Sequence, residues 1–191
     1  MSNDPYTETA TGVLINKLGI KDPDVLSRAE ADLTYLMLAR LESKSMSGNY
    51  DLAHLRSFHK TIFGDIYPWA GELRTVVIAK GHAFCLPQFI ESAARELFLG
   101  LARERHLRGL HRNEFVGSLA FYLGEINAIH PFRDGNGRTQ RAFLGQLARD
   151  AGFVINWRRL DPERNIEASV AIMRGDAEPM RTMLDELVEP A

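Results

Sequence analysis

Apolar residues recur along most of this chain at the spacing of one helix face, and the pattern changes only once. Behind Asp22-Pro23, the residues Leu26, Ala29, Leu33, Leu36, Met37 and Leu41 return every three or four positions. This predicts a helix capped by Asp22, with Pro23 in its first turn. Ser45-Met46-Ser47-Gly48-Asn49 breaks it, and Asp51 then caps a second helix with Leu52, Leu55, Phe58 and Ile62 on one face. Between Trp69 and Pro87 the period shortens to two. Leu73, Thr75, Val77 and Ala79 alternate with Arg74, Val76, Ile78 and Lys80; Gly81-His82 supplies a turn, and residues 83–86 form a return arm. That pattern predicts a short β-hairpin. Helical spacing resumes over about 87–105, 113–129, 137–150 and 162–173, followed by a short helix near the carboxyl end. Asn113 is the expected cap of the 113–129 helix, whose buried stripe is Phe115, Leu119, Tyr122, Leu123 and Ile126, and Gly152 marks a helix stop. The expectation is a single, mostly α domain over residues 1–191 carrying one hairpin.

Composition narrows the function class. The 191 residues are 45% hydrophobic and 25% charged, as in an ordinary globular domain with a real core. A net charge of −2 supplies no cationic field, so neither nucleic acid nor an anionic membrane is an expected partner. Cys85 is the single cysteine, which excludes an internal disulfide and a cysteine-rich metal site. The opening residues carry neither positive charge nor an apolar run, and no segment approaches the roughly 20 apolar residues that span a bilayer. A cytoplasmic location is expected.

The chemistry concentrates in His130-Pro131-Phe132-Arg133-Asp134-Gly135-Asn136-Gly137-Arg138-Thr139-Gln140-Arg141. His130 falls where an apolar helix meets Pro131, which forces the chain out of helical geometry. Phe132 reads as an anchor into the core and Arg133 as a solvent-facing residue. Gly135 and Gly137 permit backbone shapes and close approaches that a Cβ forbids, and their amides open the next helix, a ready anion site. Arg138 and Arg141, three apart, reach one side and suit phosphate oxygens. Asp134 is a hard oxygen ligand of the kind that shares Mg²⁺ with phosphates and water. Each element alone has a plainer reading: a lone helix-end His is usually a cap, Asp-Gly-Asn-Gly is usually a turn, and two helical arginines are usually a solvated face. A zinc or iron site would want further histidines, and a P-loop would end in Gly-Lys-Ser/Thr; this stretch has neither. The combination favours nucleotide phosphates beside a proton acceptor.

This run resembles the signature of Fic-domain enzymes, His-x-Phe-x-Asp/Glu-Gly-Asn-Gly-Arg-x-x-Arg, at every position. Residues 59–74, from His59-Lys60-Thr61-Ile62-Phe63-Gly64 through Trp69-Ala70-Gly71-Glu72-Leu73-Arg74, are similar to the segment preceding that family's hairpin. Asn3-Asp4-Pro5-Tyr6-Thr7 and Leu18-Gly19-Ile20-Lys21-Asp22 are similar to bacterial toxins of the family whose inhibitor is a separate antitoxin.

The resemblance implies a Fic-type helical bundle with a β-hairpin flap over the active site. It implies transfer of AMP from ATP, with Mg²⁺, to a Ser, Thr or Tyr hydroxyl of another protein. His130 would be the general base and Asp134 the metal ligand. Arg133, Gly135, Asn136, Gly137, Arg138 and Arg141 would surround the phosphates, with Asn136 and the amides about Gly135 and Gly137 as the anion hole. Ile78, Ala79 and Lys80 would lie at the flap edge, where Val77 to Lys80 pairs with the target. Type II topoisomerase subunits of the gyrase B and topoisomerase IV kind are the implied targets. The family's self-inhibitory motif, Ser/Thr-x-x-x-Glu-Gly/Asn, has no complete copy: Thr182-Met183-Leu184-Asp185-Glu186 is followed by Leu187. A small antitoxin supplying the Glu in trans is therefore expected. The alternatives are a Fic-fold kinase or phosphocholine transferase, a host-directed effector domain, and a silent binding module.

Overall fold

The computed structural model describes residues 4–79 and 83–191. Lys80, Gly81 and His82, expected at the flap tip, lie outside the described residues. The helices among the described residues are α1 (Pro23–Ser43), α2 (Leu52–Phe63), α3 (Ile90–Arg103), α4 (Arg112–Ile129), α5 (Asn136–Ala151), α6 (Pro162–Met173) and α7 (Glu178–Leu187). Two strands, β1 (Phe153–Ile155) and β2 (Val188–Pro190), form a small antiparallel sheet. None of these helices is long and apolar enough to cross a membrane.

The predicted helices form for the anticipated reasons. Asp22 accepts the amides of Asp24 and Val25, each at 2.9 Å, and Asp51 accepts that of His54 at 2.8 Å. The start of α4 differs from expectation. His111 is its N-cap, because Glu114 in the first turn reaches back to accept the His111 amide at 3.1 Å. Asn113 sits inside the helix and accepts from Arg181 of α7 at 2.7 Å. The stripe Phe115, Leu119, Tyr122, Leu123 and Ile126 is buried as its spacing requires. At the centre α5 packs on α1, α2 and α4, with Phe143, Leu144, Leu147 and Ala148 wholly buried. Removing such a ring costs roughly 3–5 kcal/mol, so α5 is a rigid base for whatever its first turn binds.

The hairpin is reduced to a single rung among the described residues. Ala79 and Ala83 bridge antiparallel, and the Phe84 amide donates to the Ile78 carbonyl at 3.1 Å. The period of two survives in burial: Arg74, Val76 and Ile78 turn inward, while Thr75, Val77 and Ala79 face solvent. The arms do not pair further because their amides serve other elements. Arg74 donates to the Pro131 carbonyl at 2.9 Å, Thr75 to the Tyr6 hydroxyl at 3.0 Å and Cys85 to the Ala128 carbonyl at 3.0 Å. Regular strand pairing occurs instead between β1 and β2, where Ile155 faces Val188 and Phe153 faces Pro190, tying the end of α5 to the end of α7.

Candidate active site

His130 ends α4 in the left-handed region, with φ 47° and ψ 61°. A residue with a Cβ adopts that conformation only where its surroundings hold it. Here the holder is Arg74, a buried side chain that donates from Nε to the His130 carbonyl at 2.7 Å. The same guanidinium donates to the carbonyls of Val76 at 2.7 Å and Ile129 at 3.3 Å, and to that of Cys85. One buried cation thus satisfies terminal carbonyls of α4 and fastens both hairpin arms to the loop beyond it. The His130 ring stacks on Phe84 at 3.9 Å, nearly parallel, and its Nδ1 lies 3.3 Å from the Asn127 carbonyl. With Nδ1 protonated toward that carbonyl, Nε2 is the basic nitrogen of the neutral ring.

The loop from Pro131 to Gly135 is held from beneath. Phe132 is buried and stacks on His59 at 4.0 Å. His59 donates from Nε2 to the Asp134 carbonyl at 2.9 Å and accepts the Gly71 amide on Nδ1 at 2.8 Å. Burial lowers its pKa to about 4, so it stays neutral. Gly135 has φ 76°, and a Cβ there would fall 2.3 Å from the Phe63 ring. Asn136 differs from its expected part in the anion hole. Its Oδ1 accepts the Phe132 amide at 2.9 Å and its Nδ2 donates to the Phe132 carbonyl at 2.8 Å, so the buried side chain braces the loop. What Asn136 offers an anion is its backbone amide. Gly135 is the N-cap of α5 and no side chain caps that helix, which leaves the amides of the first turn for a ligand.

The charged residues divide. Arg133 faces neither solvent nor a nucleotide site; it is half-buried and donates from Nη2 and Nε to Asp4 at 2.7 and 3.0 Å. Burial of Asp4 opposes its charge, but the hydrogen bonds from Arg133 and the Tyr6 amide, together with the Arg133 charge, outweigh this and hold the carboxyl below its ordinary pKa. The Asp134 side chain is 47% exposed, accepts the Gly135 amide, and lies 4.0 Å from Arg138. No cluster of three acidic, His or Cys ligands exists among the described residues, so a protein-only metal cage is not what Asp134 belongs to. One open carboxylate beside an anion site does fit an ion such as Mg²⁺, which keeps waters and shares phosphate oxygens. Arg138 lies over the Phe63 ring at 4.7 Å and donates to Glu30 at 2.6 Å. Arg141 reaches the same region, its pKa lowered by burial and then by the Arg138 charge.

A cavity of about 210 Å³ opens beside His130. His130, Gly137, Gln140 and Arg141 form one wall, Phe84 another, and Asn165, Ser169 and Val170 of α6 a third. Gln140 Nε2 and Trp157 Nε1 are buried donors with no hydrogen-bond partner, and both residues line it. Of the hairpin it is Phe84, rather than Ile78 or Ala79, that reaches this cavity. A second groove of about 450 Å³ runs between α1, α5 and β1 and also reaches Arg138 and Arg141. Glu186 is remote from Arg141 in function: it pairs with Arg164 at 2.5 and 2.8 Å on the surface. Sequence reasoning missed Arg74, His59 and Glu30. The available signal for Arg74 was a cation on the inward phase of an alternating run.

Residues 49–148 match the family model described as Fic/DOC family. The chain is similar to the protein adenylyltransferase VbhT of Bartonella schoenbuchensis, 46% identical over 184 residues, spanning 96% of this chain and 38% of that protein. It is also similar to a Fic protein of Escherichia coli K12, 35% identical over 189 residues, 98% of this chain and 94% of that one. Among solved structures, the N-terminal Fic domain of a VirB-translocated Bep effector protein from Bartonella quintana, with bound ADP, superposes with a TM-score of 0.91 at 30% identity. That match covers 97% of this chain and 94% of the other. With the motif loop, the helical bundle and these relatives in agreement, the chain belongs to the Fic/DOC family.

Proposed function

We propose that this chain is a protein adenylyltransferase, moving AMP from ATP to a Ser, Thr or Tyr hydroxyl of another protein. The observation that carries this reading is the shared cavity: His130, the start of α5 and Arg141 line one space. Phosphates there meet the first-turn amides of α5 and the guanidinium of Arg141, with Arg138 on the adjoining groove that Arg141 also lines. The adenine would enter the cavity, lined by Gln140 and Trp157, whose buried donors lack a hydrogen-bond partner and suit ring-nitrogen acceptors. Asp134 would hold Mg²⁺, which when bound neutralises charge on the phosphate chain. His130 Nε2 accepts the proton of the incoming hydroxyl as its oxygen attacks the α-phosphorus. The bond from that phosphorus to the bridging oxygen breaks, and pyrophosphate leaves. Positioning and charge stabilisation account for most of such a rate enhancement. The name of the Bartonella schoenbuchensis relative and the ADP-bound neighbour support the reading.

The finer reading is a cytoplasmic toxin acting on bacterial type II topoisomerase subunits. It rests on the likeness of the amino-terminal segment to the toxin subgroup. The target would dock on the exposed backbone at Val77 and Ala79. A small antitoxin would deliver a Glu to Arg141 along the groove beside α1, since Glu186 is engaged with Arg164. Incubation of the purified chain with ATP labelled at the α-phosphate and a bacterial lysate tests the activity. A labelled protein band should appear, and His130→Ala should abolish it by at least about a hundredfold, the usual weight of a general base. Equal labelling by the variant would overturn the role of His130, and labelling only from the γ-phosphate would favour a kinase.

A further inference from the structure

Of the two motif arginines, Arg138 is held by protein before any nucleotide arrives. Its Nη2 donates to Glu30 Oε1 at 2.6 Å and its Nη1 to Thr34 Oγ1 at 3.3 Å, while its face rests on the Phe63 ring at 4.7 Å. Glu30 is itself fixed. Its side chain is only 14% exposed, and its second oxygen accepts the hydroxyl of Tyr67, a buried ring stacked on Trp69 at 4.4 Å. Burial, then the Glu30 contact, raise the Tyr67 pKa, so the phenol remains a donor. Arg141 has no carboxylate partner among the described residues, and the Arg138 charge acts on it as a like charge.

We propose that Glu30 is a positioning residue for nucleotide binding, orienting Arg138 over Phe63 so that its remaining N–H groups meet phosphate oxygens. This rests on the reading of the site as one for ATP. Three contacts on different sides of one guanidinium remove most of its rotamer freedom in the free protein, so less is lost when phosphate binds. Because Glu30 and Thr34 engage only part of a five-donor fork, the phosphate need not displace them. A competing carboxylate would do the opposite, occupying the edge that the nucleotide needs.

The test uses Glu30→Ala and Glu30→Gln, the latter retaining an oxygen acceptor in the same shape. Binding of Mg²⁺ with the ATP analogue AMPPNP, followed by calorimetry, should weaken about tenfold in Glu30→Ala and by no more than about threefold in Glu30→Gln. KM for ATP should rise in parallel in Glu30→Ala while kcat changes little, because His130 is untouched. Without nucleotide, the side-chain ¹⁵Nε resonance of Arg138 should report a restrained group in the parent and in Glu30→Gln, and a mobile one in Glu30→Ala. Tighter AMPPNP binding by Glu30→Ala would show a competitor and overturn the proposal, as would an Arg138 resonance unchanged by that variant. If the parent bound no AMPPNP, the adenylyltransferase reading would fall, while the resonance would still decide whether Glu30 holds Arg138.

Discussion

Two histidines flank the motif loop and contribute in opposite ways. His130 presents its ring to a cavity, whereas His59 is wholly buried and braces Asp134 and Gly71 through both nitrogens. Burial holds the His59 pKa near 4, against 6.5 in an unfolded chain. A His with a depressed folded pKa contributes stability that is complete above 6.5 and is lost as pH falls from 6.5 toward 4, because the unfolded chain takes up the proton first. The loss is roughly 3 kcal/mol across that window. Urea titrations should therefore show stability falling between pH 7 and pH 4 more steeply in the parent than in His59→Gln. Parallel curves would mean that His59 is not the titrating group. His54, whose pKa burial also lowers, adds to the trend in both proteins. The motif loop announced its own chemistry in the sequence, but its supports did not. Arg138 and Glu30 are 108 residues apart, and Arg133 and Asp4 are 129 apart. No local pattern brings such pairs together; only the packing of α1 on α5 and the contact of Asp4 with the motif loop do.

At the scale of elements, helices were legible because a buried face imprints a period and a cap imprints a residue type. Asp22, Asp51 and the α4 stripe were each readable for that reason, and the α4 cap was misplaced by two residues because Glu114 outcompetes Asn113. The β1–β2 pairing left no such imprint, being three residues on each side and far apart in sequence. The hairpin is intermediate: its alternation survives, but Arg74 diverts its arms to α4 and the loop. The consequence is that a change at Ile78 leaves the Arg74 hydrogen bonds to His130 and Ile129 in place, its link to His130 running only through Phe84. Ile78→Pro removes one backbone donor near the bridge between Ala79 and Ala83. Labelling of the target protein should collapse in this variant, while AMPPNP binding with Mg²⁺ stays near that of the parent. Equal loss of both would mean that the hairpin supports the nucleotide pocket and that the target docks elsewhere.

For the whole molecule, the toxin reading makes expression itself an assay. Induction in a bacterial host should arrest growth, His130→Ala should not, and co-expression of a partner that brings a Glu to Arg141 should restore it. If removing the segment from Thr182 onward left the protein folded and raised its labelling, the inhibitor would be internal and the antitoxin would be withdrawn. In α6 only Ala168 is fully buried, whereas α7 buries Met180, Met183, Leu184 and Leu187. Ile172 of α6 rests where a Cβ on Gly124 of α4 would intrude at 2.4 Å. The cavity beside His130 therefore has one wall cemented into the core and one laid lightly against it. Segments with few buried anchors open at a lower free energy than the molecule as a whole. On the proposed function, a nucleotide touching both α5 and α6 would act as a strut, so that occupancy of the site and cohesion of the carboxyl-terminal helices would rise and fall together.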